Sequence, residues 1–225
     1  MDWTALWLSL RLAGFTVVLL LPLGILAGRA LAWRDFRGKG LVEALVALPL
    51  VLPPTVLGFY LLLVLGPNGP LGQLAEATIG RHLAFSFEGI LIGSLLYSLP
   101  FAVQPLHEGF RALGRRPLEI AATLGAGPFD RFRTIVLPLM RGSFLTAAVL
   151  SFAHTLGEFG VVLMIGGSIP GETRVVSIAI YDAVEALDYG RAHVLSGWLL
   201  AAAFAILCAL FAVRGRWSLF GARGC

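Results

Sequence analysis

Apolar residues run along this chain in five long stretches, separated by short segments that hold most of the charge. The stretches cover residues 12–33, 41–65, 87–106, 144–165 and 194–213. A helix needs roughly 20 apolar residues to cross the hydrocarbon of a bilayer. The pattern therefore predicts an all-α, polytopic membrane protein with about five transmembrane helices. No internal repeat or low-complexity tract interrupts it. The organisation expected is one membrane domain over residues 5–213, with a cytoplasmic loop at about 107–142 and a C-terminal tail at 214–225.

The segments between the stretches set the orientation. Arg29, Arg34, Arg37 and Lys39 lie between the first and second, and Arg111, Arg115, Arg116, Arg131, Arg133 and Arg141 between the third and fourth. Arg214, Arg216 and Arg223 follow the fifth, which makes thirteen cations on one side. Arg81, Arg174 and Arg191 are on the other, with Arg11 near the start of the first helix. Positive loops stay in the cytoplasm, so the expected N-terminus is outside and the C-terminus inside. Trp3, Trp7, Trp33, Trp198 and Trp217 fall near predicted helix ends, where an indole bridges apolar and aqueous layers.

Composition strengthens this reading. The chain is 58% hydrophobic and 13% charged, against about 45–50% and about 25% in soluble domains. One interior cannot hide that much apolar surface. The formal net charge of +4 is explained by topology and does not point to nucleic acid. Cys208 and Cys225 have no metal-site or redox spacing. Asp2 and the lack of an early Lys or Arg argue against a cleaved signal, so the first stretch is expected to remain as a helix. The second and third stretches carry Pro49, Pro53, Pro54, Pro100 and Pro105. Proline removes a helix donor and clashes one turn back, so breaks are expected in both. The Pro53-Pro54 pair suggests a helix that bends around a cavity or moves.

The loop at 107–142 is the most informative segment. Pro117 suits the first turn of a short helix, and Glu119 complements its dipole. Gly125-Ala126-Gly127 stops that helix. Pro128 starts a second one, and Pro138 is expected to end it. Ile120, Leu124, Phe129, Phe132 and Ile135 give the pair apolar knobs suited to another protein's groove. Glu119, Ala121, Gly125, Ile135, Leu137 and Pro138 stand at the spacing of the coupling motif of ABC importer permeases, which the segment resembles. Ile120 replaces the family's usual first Ala, and Ala122 follows Ala121.

The resemblance implies a type I ABC importer permease fold and a mechanical role. In the family this helix docks in a cleft of an ATP-hydrolysing subunit, whose closure switches the membrane cavity between inward-facing and outward-facing. Glu119, Ala121, Ala122, Gly125, Ile135 and Pro138 would be the coupling residues. The chain has no G-x-x-x-x-G-K-S/T loop, so ATP and magnesium would be bound by a partner. The partners implied are two ATP-binding subunits, an extracytoplasmic anion-binding protein and a second copy of this chain, in a bacterial inner membrane. Residues 48–66 (LPLVLPPTVLGFYLLLVLG) and 157–196 (GEFGVVLMIGGSIPGETRVVSIAIYDAVEALDYGRAHVLS) resemble the molybdate permeases in particular. Tungstate and sulfate permeases share this layout.

Residue chemistry speaks to the pathway only in part. Ser151, Thr155 and Glu158 recur at helical spacing in the fourth stretch. Polar groups at that depth line a water-filled path or the bundle interior, or form a packing stripe. For an anion, Glu158 is awkward: it pairs with an arginine, is protonated, or belongs to a gate. Beyond it, residues 176–187 have the spacing of an amphipathic helix at the outer interface. In the family, outer loops here receive the binding protein. An intramembrane enzyme is not supported: there is no H-E-x-x-H or G-x-S-x-G, and His82, His107, His154 and His193 are scattered. Neither catalytic residues nor metal ligands are expected. An ATP-independent channel would leave the coupling segment unexplained, as would a sensor.

Overall fold

The computed structural model describes residues 2–221, with side chains described through Ala212 except at Ile79. Arg223 and Cys225 lie outside the described residues, as do the side chains of Arg214, Arg216 and Trp217. Every regular element among the described residues is helical. In lipid this is what the backbone requires, because a helix satisfies its own N–H and C=O groups.

Three helices are long and apolar enough to span: α1 (Trp3–Trp33), α5 (Phe87–Leu113) and α12 (Tyr189–Gly221). The second stretch is divided. It forms α2 (Lys39–Ala47), a 3₁₀ turn (Leu48–Leu50) and α3 (Pro54–Leu65), bent by 108° at the break. A short helix, α4 (Pro70–Ile79), follows. The loop at 107–142 forms α6 (Arg116–Thr123), α7 (Pro128–Arg131), a π turn (Phe132–Val136) and the single turn α8 (Leu137–Leu139). Next come α9 (Arg141–Gly157), α10 (Gly160–Gly166) and α11 (Val176–Glu185). Lys39–Leu50 with Pro54–Leu65, and Pro128–Leu139 with Arg141–Gly157, each reach span length and hydropathy as a bent pair. With both counted the total is five.

Three expectations change. Pro100 and Pro105 do not break the third span: α5 runs unbroken for 27 residues, packed against α1 and α9. Pro138 does not end the second loop helix. It sits inside a helical run that continues from the π turn into α8, and the chain bends by 75° only after Leu139. The fourth stretch is not one helix, because Glu158 takes an extended ψ of 132° and separates α9 from α10. Helix α12 also continues to Gly221, beyond residue 213, where the hydropathy pattern stops.

The core is a spine of α1 against α5, with α9 packed on both. Gly24 and Gly28 let the backbones approach: a Cβ at Gly28 would stand 2.9 Å from the His107 nitrogen and 3.1 Å from the Leu106 carbonyl carbon. Small residues four apart serve membrane helices in this way. Leu106, Phe110, Val136, Met140 and Ala147 fill one end of the spine. Leu8, Leu12, Ile90, Val162, Val175 and Ile178 fill the other. At that second end the buried Ser9 hydroxyl donates to Ala5 O and accepts the Val176 N–H at 2.8 Å, which fixes the start of α11 on α1. Asp2 caps α1 and pairs with Arg174 and Arg191, both at 3.0 Å. Outward faces stay apolar: Leu200 is 73% exposed and Phe204 68%.

Replacing Gly28 with Leu forces α1 from α5. The expected loss is about 1–3 kcal/mol, as for other overpacked cores. It is read as a lower midpoint of thermal unfolding in detergent, with Gly14→Leu, whose Cβ would meet nothing, as the control.

Candidate functional sites: a polar cleft and an exposed knob

Two places carry chemistry that packing alone does not require. The first lies where the interrupted helices meet. Gly160, at the start of α10, packs on Pro54, at the start of α3; a Cβ there would come within 2.7 Å of the proline ring. Around this contact an open cleft of about 550 Å³ is bordered by Thr55, Tyr97, His154, Glu158 and Phe159.

Of the three residues expected on the pathway, only Glu158 borders this cleft. Ser151 and Thr155 are buried, at 1% and 3% exposure. Thr155 shares a 2.9 Å hydrogen bond with the Ser98 hydroxyl, and Ser98 shares another of 2.9 Å with His154 Nδ1. The imidazole stacks on Phe101 at 4.1 Å and tilts against Tyr97 at 4.8 Å. The Glu158 side chain is 4% exposed. Ser94 lies beside its carboxylate, yet neither oxygen closes a hydrogen bond of normal geometry. No arginine reaches it in a hydrogen bond. Its backbone carbonyl accepts from the Ser177 hydroxyl of α11, which covers the helix break. Ser94, Tyr97 and Ser98 were not among the expected site residues. The signal was available: serines four apart in an otherwise apolar helix share one face.

The second place is the knob formed by α6, α7 and the turn between them. Glu119 stands in the first turn of α6. Leu124 caps the helix, and Gly125 follows at φ +86°. Gly125 N–H donates to Ala122 O and Ala126 N–H to Ala121 O, both at 3.0 Å. This is the paired bonding of a Schellman cap. A Cβ on Gly125 would meet nothing, so the glycine is required by its backbone angle and leaves open space above the turn. Leu124 is 82% exposed and Phe129 73%. Ala122 and Pro138 are exposed, and Ala121 and Ile135 half-buried. The six expected coupling residues thus share one projecting segment. Their spread is unequal: Glu119 to Gly125 form its tip, whereas Ile135 and Pro138 lie in the stem that leads to α9.

The family model described as the inner membrane component of binding-protein-dependent transport systems matches residues 21–217. The chain belongs to this family. As a permease it is 54% identical over 213 residues to the molybdenum transport system permease protein ModB of Azotobacter vinelandii, covering 95% of this chain and 94% of that one. It is 36% identical to ModB of Escherichia coli strain K12, over 82% and 80% of the two chains. It is 35% identical to the sulfate transport system permease protein CysT of Salmonella typhimurium, over 89% and 71%. Among solved structures it superposes on a bacterial alginate ABC importer with a TM-score of 0.73 at 17% identity, over 95% and 78% of the chains. The MetNI methionine ABC transporter in an inward-facing conformation gives 0.70 at 14% identity, over 95% and 94%. These two establish the fold, a type I ABC importer permease.

Two substitutions probe the permease's two places. Ser98→Ala leaves Thr155 and the His154 ring without their shared partner, and a buried polar group so stranded costs about 1–3 kcal/mol. The expected result is a lower unfolding midpoint, with partial recovery in Ser98→Thr. Gly125→Val forces a β-branched residue into the left-handed region at roughly 1–2 kcal/mol without a clash in the isolated chain. The unfolding midpoint should fall by no more than this strain accounts for, because no neighbour among the described residues has to move aside.

Proposed function

We propose that the chain is the permease subunit of an ATP-driven importer that takes up molybdate. Two copies would form the pathway, joined by two ATP-hydrolysing subunits that bind ATP and magnesium, and by one extracytoplasmic binding protein that delivers the anion. The N-terminus would be outside and the C-terminus in the cytoplasm of a bacterial cell. The observation that carries this reading is the Schellman-capped knob. It projects from the end of the molecule where the arginine-rich loops gather, with its apolar tip unsatisfied by anything in its own chain. The near full-length likeness to molybdenum permeases supports the choice of anion.

The mechanism follows from how the parts connect. A partner closing on Glu119 and the open space at Gly125 would move α6. The stem through Ile135 and Pro138 leads directly into α9, so the push would reach His154, Thr155 and Glu158 at the far end of that helix. The cleft there is bordered by the first residues of α3, whose dipole end is positive. A tetrahedral oxyanion is suited to such amide ends and to the Thr55 hydroxyl. The carboxylate of Glu158 is buried beside Ser94 and would repel an anion, and we assign it to the closing of this cleft rather than to anion binding. The helices are too few to enclose a path in one copy, so the cleft would open toward the two-fold axis.

Uptake in proteoliposomes holding the permease, its ATPase and its binding protein should require ATP and saturate with molybdate, with sulfate a weak competitor. Glu119→Ala should lower uptake at least about tenfold, the cost of one lost charged contact at a buried interface. Uptake without ATP, or sulfate preferred over molybdate by the complete complex, would overturn the reading.

A further inference from the structure

Loop cations satisfy topology wherever they fall along the loops. Four of them nevertheless converge. Arg29 and Arg34, at the end of α1, face Arg115 and Arg131 of the knob across an open cavity of about 530 Å³. Glu119 is the one carboxylate in its lining, so four positive charges and one negative leave +3 there. Arg34 and Arg115 also border the adjoining cavity, beside Phe36. None of the four arginines has a carboxylate within 4.0 Å among the described residues; the ion pair nearest in sequence joins Lys39 to Asp35 instead. Arg29 lies over the Trp33 ring at 5.5 Å, and Arg131 Nε donates to its own turn at Gly127 O. The remaining guanidinium N–H groups point to no protein acceptor. Trp33 itself is pinned, its indole N–H donating to Phe110 O at 2.9 Å.

The cavity also has an apolar side. Leu26 lines it and is 66% exposed, and Leu23, one turn earlier on α1, is 51% exposed. An exposed apolar strip of α1 thus leads straight into a cluster of arginines without carboxylate partners, beside Trp33. We propose that this cleft holds the phosphate of an anionic phospholipid of the cytoplasmic leaflet, with an acyl chain along Leu23 and Leu26. Basic pockets between helices at this depth have the chemistry for such headgroups, and guanidinium forks match phosphate oxygens. The lipid would bridge α1 and the knob, bracing α6 while a partner moves it. The leaflet assignment rests on the orientation given under Proposed function; the phosphate chemistry does not.

The test uses the full-length chain in dodecyl maltoside, with phosphatidylglycerol or phosphatidylcholine added and retention read by native mass spectrometry. Phosphatidylglycerol should be retained preferentially. Arg34→Gln/Arg115→Gln should lower that retention about tenfold or more, given the attraction of each interfacial arginine to an anionic headgroup. Arg34→Lys/Arg115→Lys should keep part of it, and Arg81→Gln should leave it unchanged. Equal retention by wild type and the Gln pair, or no preference over phosphatidylcholine, overturns the proposal. Thermal protection by inorganic phosphate equal to that by the lipid overturns it in favour of a soluble oxyanion. Release of the ATP-hydrolysing subunit by the Gln pair with lipid retention unchanged would make the cleft a protein contact and likewise sink it. The assay contains no ATP and no transported anion, so its outcome is independent of the uptake experiment.

Discussion

A backbone interrupted inside a membrane must find other partners for the groups its helix no longer satisfies. This chain is interrupted twice at depth, at residues 51–53 and at Glu158–Phe159, and it brings both interruptions together. Gly160 gives up its side chain so that Pro54 can lie against α10. Gly58 does the same one turn later, where a Cβ would stand 2.7 Å from Met164. Ser177 donates to the Glu158 carbonyl from α11. The outer layer of α10, α11 and the loop between them is arranged around this need. The buried Thr173 closes that loop by donating to Gly166 O and accepting from the Ile169 N–H.

The remaining architecture connects this junction to the opposite end of the molecule. The α1–α5 pair is drawn close by Gly24 and Gly28 and tied at one end by Trp33; at the other end Asp2 ties α1 to Arg174 and to Arg191 of α12. Beside the pair, α9 runs from the stem of the knob to Glu158. The chain bends by 75° after Leu139, between the stem and α9. A π turn at Phe132–Val136 precedes that bend. The arrangement suits a part whose ends must be coupled across a membrane.

The knob was legible in detail. The positions of Pro117, Glu119 and Gly125 mark a helix start and a left-handed stop that depend on neighbours only a few residues away, and the chain forms both. Proline was a poorer guide. Pro53 and Pro54 break a helix, yet Pro100 and Pro105 do not. Pro54 holds the residue before it out of the α region, and Pro53 there has ψ 134°, whereas Pro100 and Pro105 stand apart in a helix packed on two neighbours. Ser94 and Ser98 could be placed on one helical face by their spacing, but which neighbour that face meets is decided by packing. Ser151, Thr155 and Glu158 recur at helical spacing, but tertiary packing buries the first two, ties Thr155 to Ser98 of α5, and leaves only Glu158 of the three at the cleft.

By itself the sequence determined that this is a helical membrane protein, which segments could cross, and that a glycine-capped knob stands in an arginine-rich loop. Those properties follow from hydrophobic length, charge placement and backbone preferences, all of which act over a few residues or a single helix. The tertiary structure decided where the helices break, which polar side chains meet, and that Arg29, Arg34, Arg115 and Arg131 share one cavity. Each of these joins residues distant in the chain, and is set by the close approach of helices that no local pattern encodes.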